Sequence, residues 1–133
     1  MGLWTSLGAW VGSWGFFAFV VSRIVFQILP GGVAGDLSGA LLTVLHYSGV
    51  FAALVAAACA FGLGRRGWVV TLPLGLALAC LFSELWVSPE VALVRPSALG
   101  EASSATAANR FHVLHRLSLG LFLGIHFASM ILI

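Results

Sequence analysis

Hydrophobic residues form four long blocks along the chain, and each block ends at proline, glycine or charged residues or near the end of the chain. The blocks cover about residues 3–29, 38–62, 68–87 and 111–132. A helix needs about 20 apolar residues to cross the hydrocarbon core of a bilayer, so every block is long enough to span a membrane. Because the blocks are unbroken rather than alternating, they favour helices over the strands of a membrane β-barrel. The pattern predicts an all-α fold, an integral membrane four-helix bundle.

The polar segments between the blocks predict how the helices connect. Short turns follow the first and second blocks, at residues 30–37 and at Arg65 and Arg66. The segment 88–110 is the longest stretch outside the blocks, and we expect it to form an extramembrane loop. We therefore predict a single transmembrane domain over residues 1–133.

Composition supports a location in lipid and narrows the functional classes. Of the 133 residues, 61% are hydrophobic and 8% are charged, whereas a soluble domain is about 25% charged. The six basic residues are scattered and form no basic face, so no nucleic-acid partner is expected. The lipid bilayer is the first expected partner. We predict an integral membrane protein of a bacterial inner membrane.

Ionisable residues inside a membrane are energetically costly, and they are therefore the first candidates for a functional site. Five of them fall toward the 88–110 end of the helices: Arg23, His46, Glu84, His115 and Arg116. Glu84 is the only acid within the four blocks, and we expect Arg23 or Arg116 to neutralise it in an intramembrane ion pair. Such a pair can simply lock the helices together. A proton or ion path through Glu84 and a histidine is the alternative.

Histidines on the last helix raise the question of a cofactor. His112, His115 and His126 fall on one helical face at about 100° per residue. Haem needs axial ligands from facing helices at matching depth, and His46 with His115 is the best pair, although their depths differ. Copper favours a cluster of Met, Cys and His, which the sequence does not suggest. We predict no resident cofactor or metal, with haem or copper at His46, His115 or His126 as the alternative.

Ser118 and His115 lie three residues apart and therefore share a helix face. No acid or oxyanion-stabilising group accompanies them in the sequence, so a nucleophile–base arrangement is not indicated. Ser118 can bond back to a carbonyl of the preceding turn, and His115 can donate to Glu84 or to a backbone group. We expect these residues to help dock the fourth helix, and we expect no enzymatic activity.

Small and aromatic residues fit the four-helix frame. Small residues let helices approach closely in lipid, and three pairs of glycines stand four residues apart, at 8/12, 35/39 and 120/124. Tryptophans favour the membrane interface. We place Trp4, Trp10 and Trp68 toward one face of the membrane and Trp86 toward the other.

Two stretches of the chain resemble a known family of small membrane proteins. Residues 16–21 and 25–30, followed by Ala34 and Gly35, resemble its first half. Residues 111–118 carry the pattern Phe-x-x-Leu-His-x-x-Ser that opens the family's last helix. This is the transmembrane protein 205-like family, whose bacterial members form a domain of unknown function. The resemblance implies four helices over nearly the whole chain, and it brings no settled activity.

The chain departs from that family at two positions. Arg23 stands where members commonly carry a proline late in the first helix, and Phe122 stands where they commonly carry an asparagine. If those groups serve transport or gating, this chain has lost that role and has become a structural partner.

Three functions fit these observations. The first is an accessory or structural subunit of a larger membrane protein complex, favoured by the small size and the small extramembrane part. The second is an ion or small-solute transporter or channel component, which would need an oligomer because four helices leave little room for a path. The third is a haem- or metal-binding electron-transfer protein. Other membrane protein subunits are the expected partners, and a homo-oligomer is the alternative.

Overall fold

Helices make up the regular structure of residues 2–95 and 105–132, the part of the chain that the structure describes. In this computed structural model the order is α1 (Gly2–Phe16), a π-helical turn π1 (Phe17–Val21), α2 (Ser22–Ile28), α3 (Gly31–Gly62), α4 (Trp68–Phe82), a second π-helical turn π2 (Ser83–Val87), α5 (Ser88–Val94) and α6 (Ala105–Met130). They join into four spans, each long and apolar enough to cross a membrane. The predicted all-α membrane fold with four helices is confirmed.

The spans differ in length from the hydrophobic blocks. They cover Trp4–Ile28, Gly31–Gly62, Trp68–Val94 and Thr106–Met130. The second span begins directly after Pro30. The ψ angle of this proline is 144°, outside the helical range, so Pro30 separates α2 from the second span. The expected loop at 88–110 is shorter than predicted, because residues 88–94 and 105–110 are helical. Its middle part, 96–104, lies outside the described residues.

The second span is the longest element. Its 32 residues give a length of about 48 Å at 1.5 Å per residue, whereas the hydrocarbon core is about 30 Å thick. The helix therefore tilts or extends beyond the core. Its first two turns contain Asp36, whose side chain is 63% exposed and pairs with Arg95. These turns thus lie at the membrane face where α2 and α5 end.

A tight turn that depends on glycine connects α3 to α4. The Arg65 amide donates to the Ala60 carbonyl over 3.0 Å, a bond that closes the end of α3. Gly64 and Gly67 have φ angles of 72° and 71°, in the left-handed region where a residue with a Cβ is strained. The second and third spans therefore form one antiparallel helical hairpin.

Large side chains of the first span pack against small side chains of the second. Trp10 and Trp14 are almost fully buried, and they share one hydrophobic cluster with three buried alanines of α3, Ala52, Ala53 and Ala56. The helices approach so closely that the Ser6 hydroxyl donates to the Ala52 carbonyl over 3.0 Å. The core is therefore narrow, and it sits between the first three spans with α6 closing one side.

Trp10 corrects the predicted interfacial placement of the tryptophans. Its side chain is 3% exposed and lies in the core, where a Cβ on Gly49 would come within 3.0 Å of the indole nitrogen. Trp4, Trp68 and Trp86 are exposed, as residues that face lipid or the interface should be. The absent side chain of Gly49 thus creates the space that Trp10 fills.

Two wider turns interrupt the first and third spans. The Ser22 amide donates to the Phe17 carbonyl, and the Ser88 amide donates to the Ser83 carbonyl, five residues back in each case. Such π-helical turns are rare and occur often at functional sites. Here π2 carries Glu84, the acid that the sequence singles out.

Candidate functional site

The Glu84 carboxylate is the centre of a buried polar cluster between α3 and π2. Its Oε2 atom lies 2.8 Å from His46 Nδ1, and its Oε1 accepts a 2.7 Å hydrogen bond from the Thr43 hydroxyl. Ser88 adds a long contact of 3.5 Å to Oε2. The side chains of His46 and Glu84 are only 3% and 11% exposed. This set of donors explains how a carboxylate is accommodated inside the bundle.

The proton of the His46–Glu84 bond can be placed by chemistry. An ionised carboxylate only accepts hydrogen bonds, so Nδ1 carries the hydrogen whenever Glu84 is charged. The contact is then a hydrogen bond with a neutral ring, and it becomes an ion pair when Nε2 is protonated as well. The cluster can therefore hold a proton in more than one position.

The expected ion pair between Glu84 and an arginine is wrong for the described residues. Arg23 and Arg116 are exposed on the outside of the bundle, and the described ion pairs involve neither of them. The reason is direction, because Glu84 points toward α3 and takes its partners from one face of that helix. The long stems of both arginines allow their guanidinium groups to reach the headgroup region.

An aromatic layer lies next to the polar cluster. The Trp14 and His46 rings are 5.7 Å apart between centroids, and Trp14 stacks on Phe122 at 4.5 Å. Phe17 meets the edge of Phe122 at 5.9 Å. Offset and edge-on contacts of this kind stabilise aromatic packing. The layer, defined here as Trp14, Phe17 and Phe122, separates His46 from a cavity on its other side.

That cavity has a volume of about 740 Å³ and lies between the first, second and fourth spans and the end of α5. Most of its lining is aromatic, aliphatic or glycine. The polar side chains that border it are Ser22, Ser38, Arg95, His115 and Ser118. A space of this size falls within the range of small-molecule binding sites.

Polar groups concentrate where the cavity meets the start of α3. Gly31 and Gly32 border the cavity, and they follow Pro30, which provides no side-chain cap. The Ala34 amide donates to the Pro30 carbonyl over 2.9 Å, the first backbone bond of the helix. The amides of the residues before Ala34 have no carbonyl four residues back within the helix to which they could donate. This end of α3 therefore offers backbone donors and a partial positive charge.

Arg95 lies across the same end of α3. Its Nη1 donates to Asp36 over 2.9 Å. A Cβ on Gly39 would come within 3.1 Å of Nη2, and a Cβ on Gly35 within 3.3 Å of Cδ. The Gly35/Gly39 pair thus serves to seat an arginine side chain, whereas the sequence suggested a contact between helices.

The remaining candidate residues do not join the Glu84 cluster. His115 stacks on Phe111 at 5.5 Å and borders the cavity together with Ser118. His126 is buried, and neither of its ring nitrogens has a hydrogen-bond partner among the described residues. His112 is exposed. Within residues 2–95 and 105–132, no three His, Cys, Asp or Glu side chains lie close enough together to hold a metal ion.

Three residues of the site were missed by the sequence reasoning. Thr43 stands three positions before His46 and therefore shares its helix face, a signal that was present in the spacing. Ser38 and Arg95 carried no comparable signal, because their importance depends on which helices border the cavity. Spacing along one helix can be obtained from the sequence, whereas neighbours across the bundle cannot.

Comparison with known proteins identifies a family. Residues 5–98 match a domain of unknown function, DUF4149. The chain therefore belongs to the DUF4149 family. The matched segment contains nearly all of the first three spans, including the Glu84 cluster and the start of α3. No curated protein matches the chain, and no solved structure matches it.

Proposed function

We propose that the protein binds a small solute inside the membrane and acts as a component of a solute transporter or channel. The observation that supports this proposal is the cavity of about 740 Å³ at one membrane face. It ends at the aromatic layer, beyond which lies the His46–Glu84 pair. A cavity that is closed at one end resembles half of a transport path, and a second copy of the chain can provide the other half.

The register of α3 supports a link between the cavity and the polar cluster. Ser38 and Leu42 border the cavity, and His46 follows one turn later on the same face. A solute that enters the cavity therefore approaches the aromatic layer and then His46. Intramembrane acid and histidine pairs commonly serve proton or ion movement, which agrees with a coupling role for Glu84.

The proposal is tested by thiol labelling in reconstituted vesicles. Ser118→Cys places a thiol on the cavity wall, and the membrane-impermeant reagent MTSES should modify it from one side of the membrane only. Adding Leu42→Trp should fill the cavity and suppress the modification by tenfold or more. Val44→Trp is the matched control, because Val44 lies on the same helix and faces outward.

The unsubstituted chain, which retains Cys59 and Cys80, sets the background of this labelling experiment. A thiol at position 118 that does not react would contradict the proposal, since a solute path must be reachable from water. Equal labelling with Leu42→Trp and Val44→Trp would contradict it as well.

An accessory subunit of a larger membrane complex is the second candidate. A shallow groove between α4 and α6 is bordered by Arg116, Gly120 and Gly124, and the two glycines face open space. Small residues of this kind let a partner helix approach, and Arg116 favours a partner with an acidic residue. Gly120→Leu should then release a stoichiometric partner from native membranes, whereas Gly8→Leu, at an open position on the first span, should retain it.

A haem-binding role is the weakest of the three functions. His46 Nδ1 is engaged by Glu84, so only Nε2 is free to ligate, and His115 is exposed beside Phe111. Haem binding at His46 and His115 predicts a Soret band in the visible spectrum. His46→Ala and His115→Ala should each remove a Soret band, and a haem-supplied wild type without that band would exclude it.

Three further points belong to the proposal. We infer a non-enzymatic role, supported by the engagement of Glu84 with His46 rather than with His115 and Ser118.

We also propose that the family likeness extends to the transmembrane protein 205-like proteins. Its support is the motif at residues 111–118, beyond the matched segment. We propose a bacterial inner membrane as the location, which is supported by the four membrane-spanning helices.

A further inference from the structure

We propose that the His46–Glu84 pair is a proton-binding site, and that its protonation is coupled to the filling of the cavity through the aromatic layer. This inference rests on the proposed function, because it names the ion that a transporter with this cavity uses. Three features of the molecule support it: the charge of the polar cluster, the ligands that the cluster offers, and the ring contacts between His46 and the cavity.

The polar cluster carries a buried negative charge. When Glu84 is ionised and the His46 ring is neutral, the pair has one negative charge, and the two side chains are only 11% and 3% exposed. Thr43 contributes a hydroxyl at 2.7 Å, which supplies a dipole and not a counter-ion. A buried charge without a counter-ion is unfavourable. Uptake of one proton makes the pair neutral overall and lowers this cost.

Other charged or titratable side chains lie on the helices around the pair, and none of them bonds to it in the part of the chain that the structure describes. Glu90 on α5 pairs instead with Arg110 on α6. The others on the surrounding helices and at the end of α5 are Arg23, Asp36, Tyr47, Cys59, Cys80, Arg95, His112, His115, Arg116 and His126. The groups that bond to the pair are therefore the hydroxyls of Thr43 and Ser88.

A metal cation fits this cluster less well than a proton. Hard cations such as Ca²⁺ and Mg²⁺ take about six or more oxygen ligands, whereas the cluster offers the Glu84 carboxylate, the Thr43 hydroxyl and the more distant Ser88 hydroxyl. The contact with His46 Nδ1 already uses one carboxylate oxygen. Over residues 2–95 and 105–132, no three His, Cys, Asp or Glu side chains are grouped so that they could hold a metal ion. These atoms therefore favour a proton.

The pair can hold the proton in two ways. The proton binds to Nε2 of His46 and forms an imidazolium beside the ionised carboxylate. Alternatively, the Nδ1 hydrogen then moves to Oε2 of Glu84, which leaves a neutral acid and a neutral ring. Both forms contain one proton more than the ionised pair, and release of that proton to water reverses the step.

The aromatic layer connects the proton site to the cavity through ring contacts. Trp14 lies 5.7 Å from the His46 ring between centroids and stacks on Phe122 at 4.5 Å, and Phe122 borders the cavity. A cation within about 6 Å of a tryptophan ring is attracted to it, so protonation of His46 changes the force on Trp14 and on the ring stacked against it. Because coupling between two sites is reciprocal, filling the cavity must also change the proton affinity of the pair.

Nuclear magnetic resonance of the full chain in detergent, with isotope-labelled histidine, tests the proton site. The chemical shifts of the ring nitrogens report protonation directly, and His46→Gln assigns the His46 signals. The titration covers about pH 5–8, the range in which histidine changes charge, and we expect the His46 signals to change reversibly within it. The exposed His112 serves as an internal standard. His46 signals that stay constant while those of His112 change would overturn the proton site.

Sodium chloride and choline chloride at equal ionic strength distinguish a proton from a sodium ion as the ligand. We expect the same titration midpoint for His46 in both salts. A midpoint that moves with the sodium concentration, and not with choline, would overturn the proton as the ion that this cluster binds.

Matched variants test the coupling to the cavity. Ser118→Trp fills the cavity from α6 and should change the proton affinity of His46 at least about threefold, the size of a weak cation–π contact. Val113→Trp is its control, because Val113 lies on the same helix, is exposed and does not border the cavity. Phe122→Leu removes the stack on Trp14, so in that background Ser118→Trp should no longer change the proton affinity.

The outcomes separate this inference from the proposed function. A His46 that titrates but responds equally to Ser118→Trp and Val113→Trp, or to neither, would overturn the coupling and leave the cavity as a solute site. A His46 that titrates and responds to Ser118→Trp alone supports the coupling. If MTSES then fails to modify the thiol of Ser118→Cys, transport is overturned and the proton-linked cavity is retained.

Discussion

Glu84 illustrates how a single carboxylate is kept inside a membrane bundle. Moving a charged group out of water into a protein costs about several kcal/mol unless other groups hydrogen-bond to it. Thr43 and His46 both lie on α3 and both reach Glu84, at 2.7 and 2.8 Å. The stabilisation of the carboxylate therefore depends on a single neighbouring helix.

Removing this carboxylate should destabilise the protein more than removing an exposed one. Glu84→Leu leaves the His46 ring nitrogen without its acceptor, whereas the Thr43 hydroxyl can still donate to the Gly39 carbonyl, 3.3 Å away, so we expect unfolding in detergent to become about 1–3 kcal/mol easier. Glu84→Gln keeps an acceptor, and we expect a loss of about 1 kcal/mol. Thermal unfolding followed by circular dichroism measures both effects.

Glu90→Gln is the control for this series, because Glu90 pairs with Arg110 in an exposed position. Exposed pairs contribute about 0–1 kcal/mol, so its melting temperature should change little. Equal destabilisation by Glu84→Leu and Glu90→Gln would show that the buried cluster contributes nothing special.

Double-mutant cycles distinguish the observed partner of Glu84 from the predicted one. Groups in contact show coupling energies of about 0.5–3 kcal/mol, whereas distant groups add within about 0.5 kcal/mol. We expect His46→Ala and Glu84→Leu, which removes the acceptor, to couple by at least about 1 kcal/mol. Arg23→Gln and Glu84→Gln should be additive in the same unfolding assay, and a strong coupling there would restore the arginine ion pair.

The sequence singled out both Glu84 and His46, which lie 2.8 Å apart in the structure. Glu84 and His46 stood out because ionisable residues within hydrophobic blocks are rare. The sequence favoured Arg23 or Arg116 as the ion-pair partner of Glu84, and this was wrong because the partner depends on which way Glu84 points from π2. A π-helical turn changes the direction of the side chains within and after it, and no pattern in the sequence indicated such a turn at π2.

Among the elements, the contact between α1 and α3 shows that glycine spacing alone does not locate helix packing. The pairs 8/12 and 120/124 face open space, and the pair 35/39 seats Arg95. The close approach occurs instead at Gly49, which has no glycine partner four residues away. Its neighbours Trp10 and Cys80 come from two other spans, so the contact depends on the tertiary arrangement.

Gly49 is therefore the glycine whose substitution should matter most. In Gly49→Ala the new methyl group would lie 3.0 Å from the Trp10 indole nitrogen and 3.3 Å from Cys80 Sγ. Overpacking of this kind costs about 1–3 kcal/mol, and the melting temperature in detergent should fall. Gly75→Ala, at an open position on α4, should be neutral or slightly stabilising, since alanine is the better helix former. Equal effects of the two substitutions would contradict the packing argument.

The number of helices was predictable and their ends were not. Hydrophobicity locates the part of a helix that lies in lipid, whereas a helix continues as long as its backbone and side chains are satisfied. Glu90 at the start of α5 pairs with Arg110 near the start of α6, and this contact supports helical turns outside the apolar blocks. An ion pair across two helices has no signature in a hydropathy profile.

For the whole molecule, four spans place the α3–α4 turn and the start of α6 on opposite sides of the membrane. We expect Arg65→Cys and Asn109→Cys to react with a membrane-impermeant maleimide from opposite sides of sealed vesicles. Both residues are exposed at helix ends, so access should not limit the reaction. Labelling of both from the same side would contradict the four-span arrangement, and the unsubstituted chain measures the background.

The fold class followed from composition and block length, but the cavity did not. Its walls come from three spans and the end of a fourth, and its size depends on how far apart those helices stand. Side-chain volumes in one sequence do not determine that spacing. The glycines at the start of α3 were visible in the sequence, yet only the neighbouring helices make them part of a binding cavity.

The tight turn between α3 and α4 has a consequence for how the chain enters the membrane. The hairpin that it closes carries His46 and Thr43 on one arm and Glu84 on the other, and the two arms can pair soon after synthesis because few residues separate them. The acid can then be satisfied within the hairpin before the last span is made. The hydrogen bonds of Thr43 and His46 to Glu84 therefore do not depend on the last span.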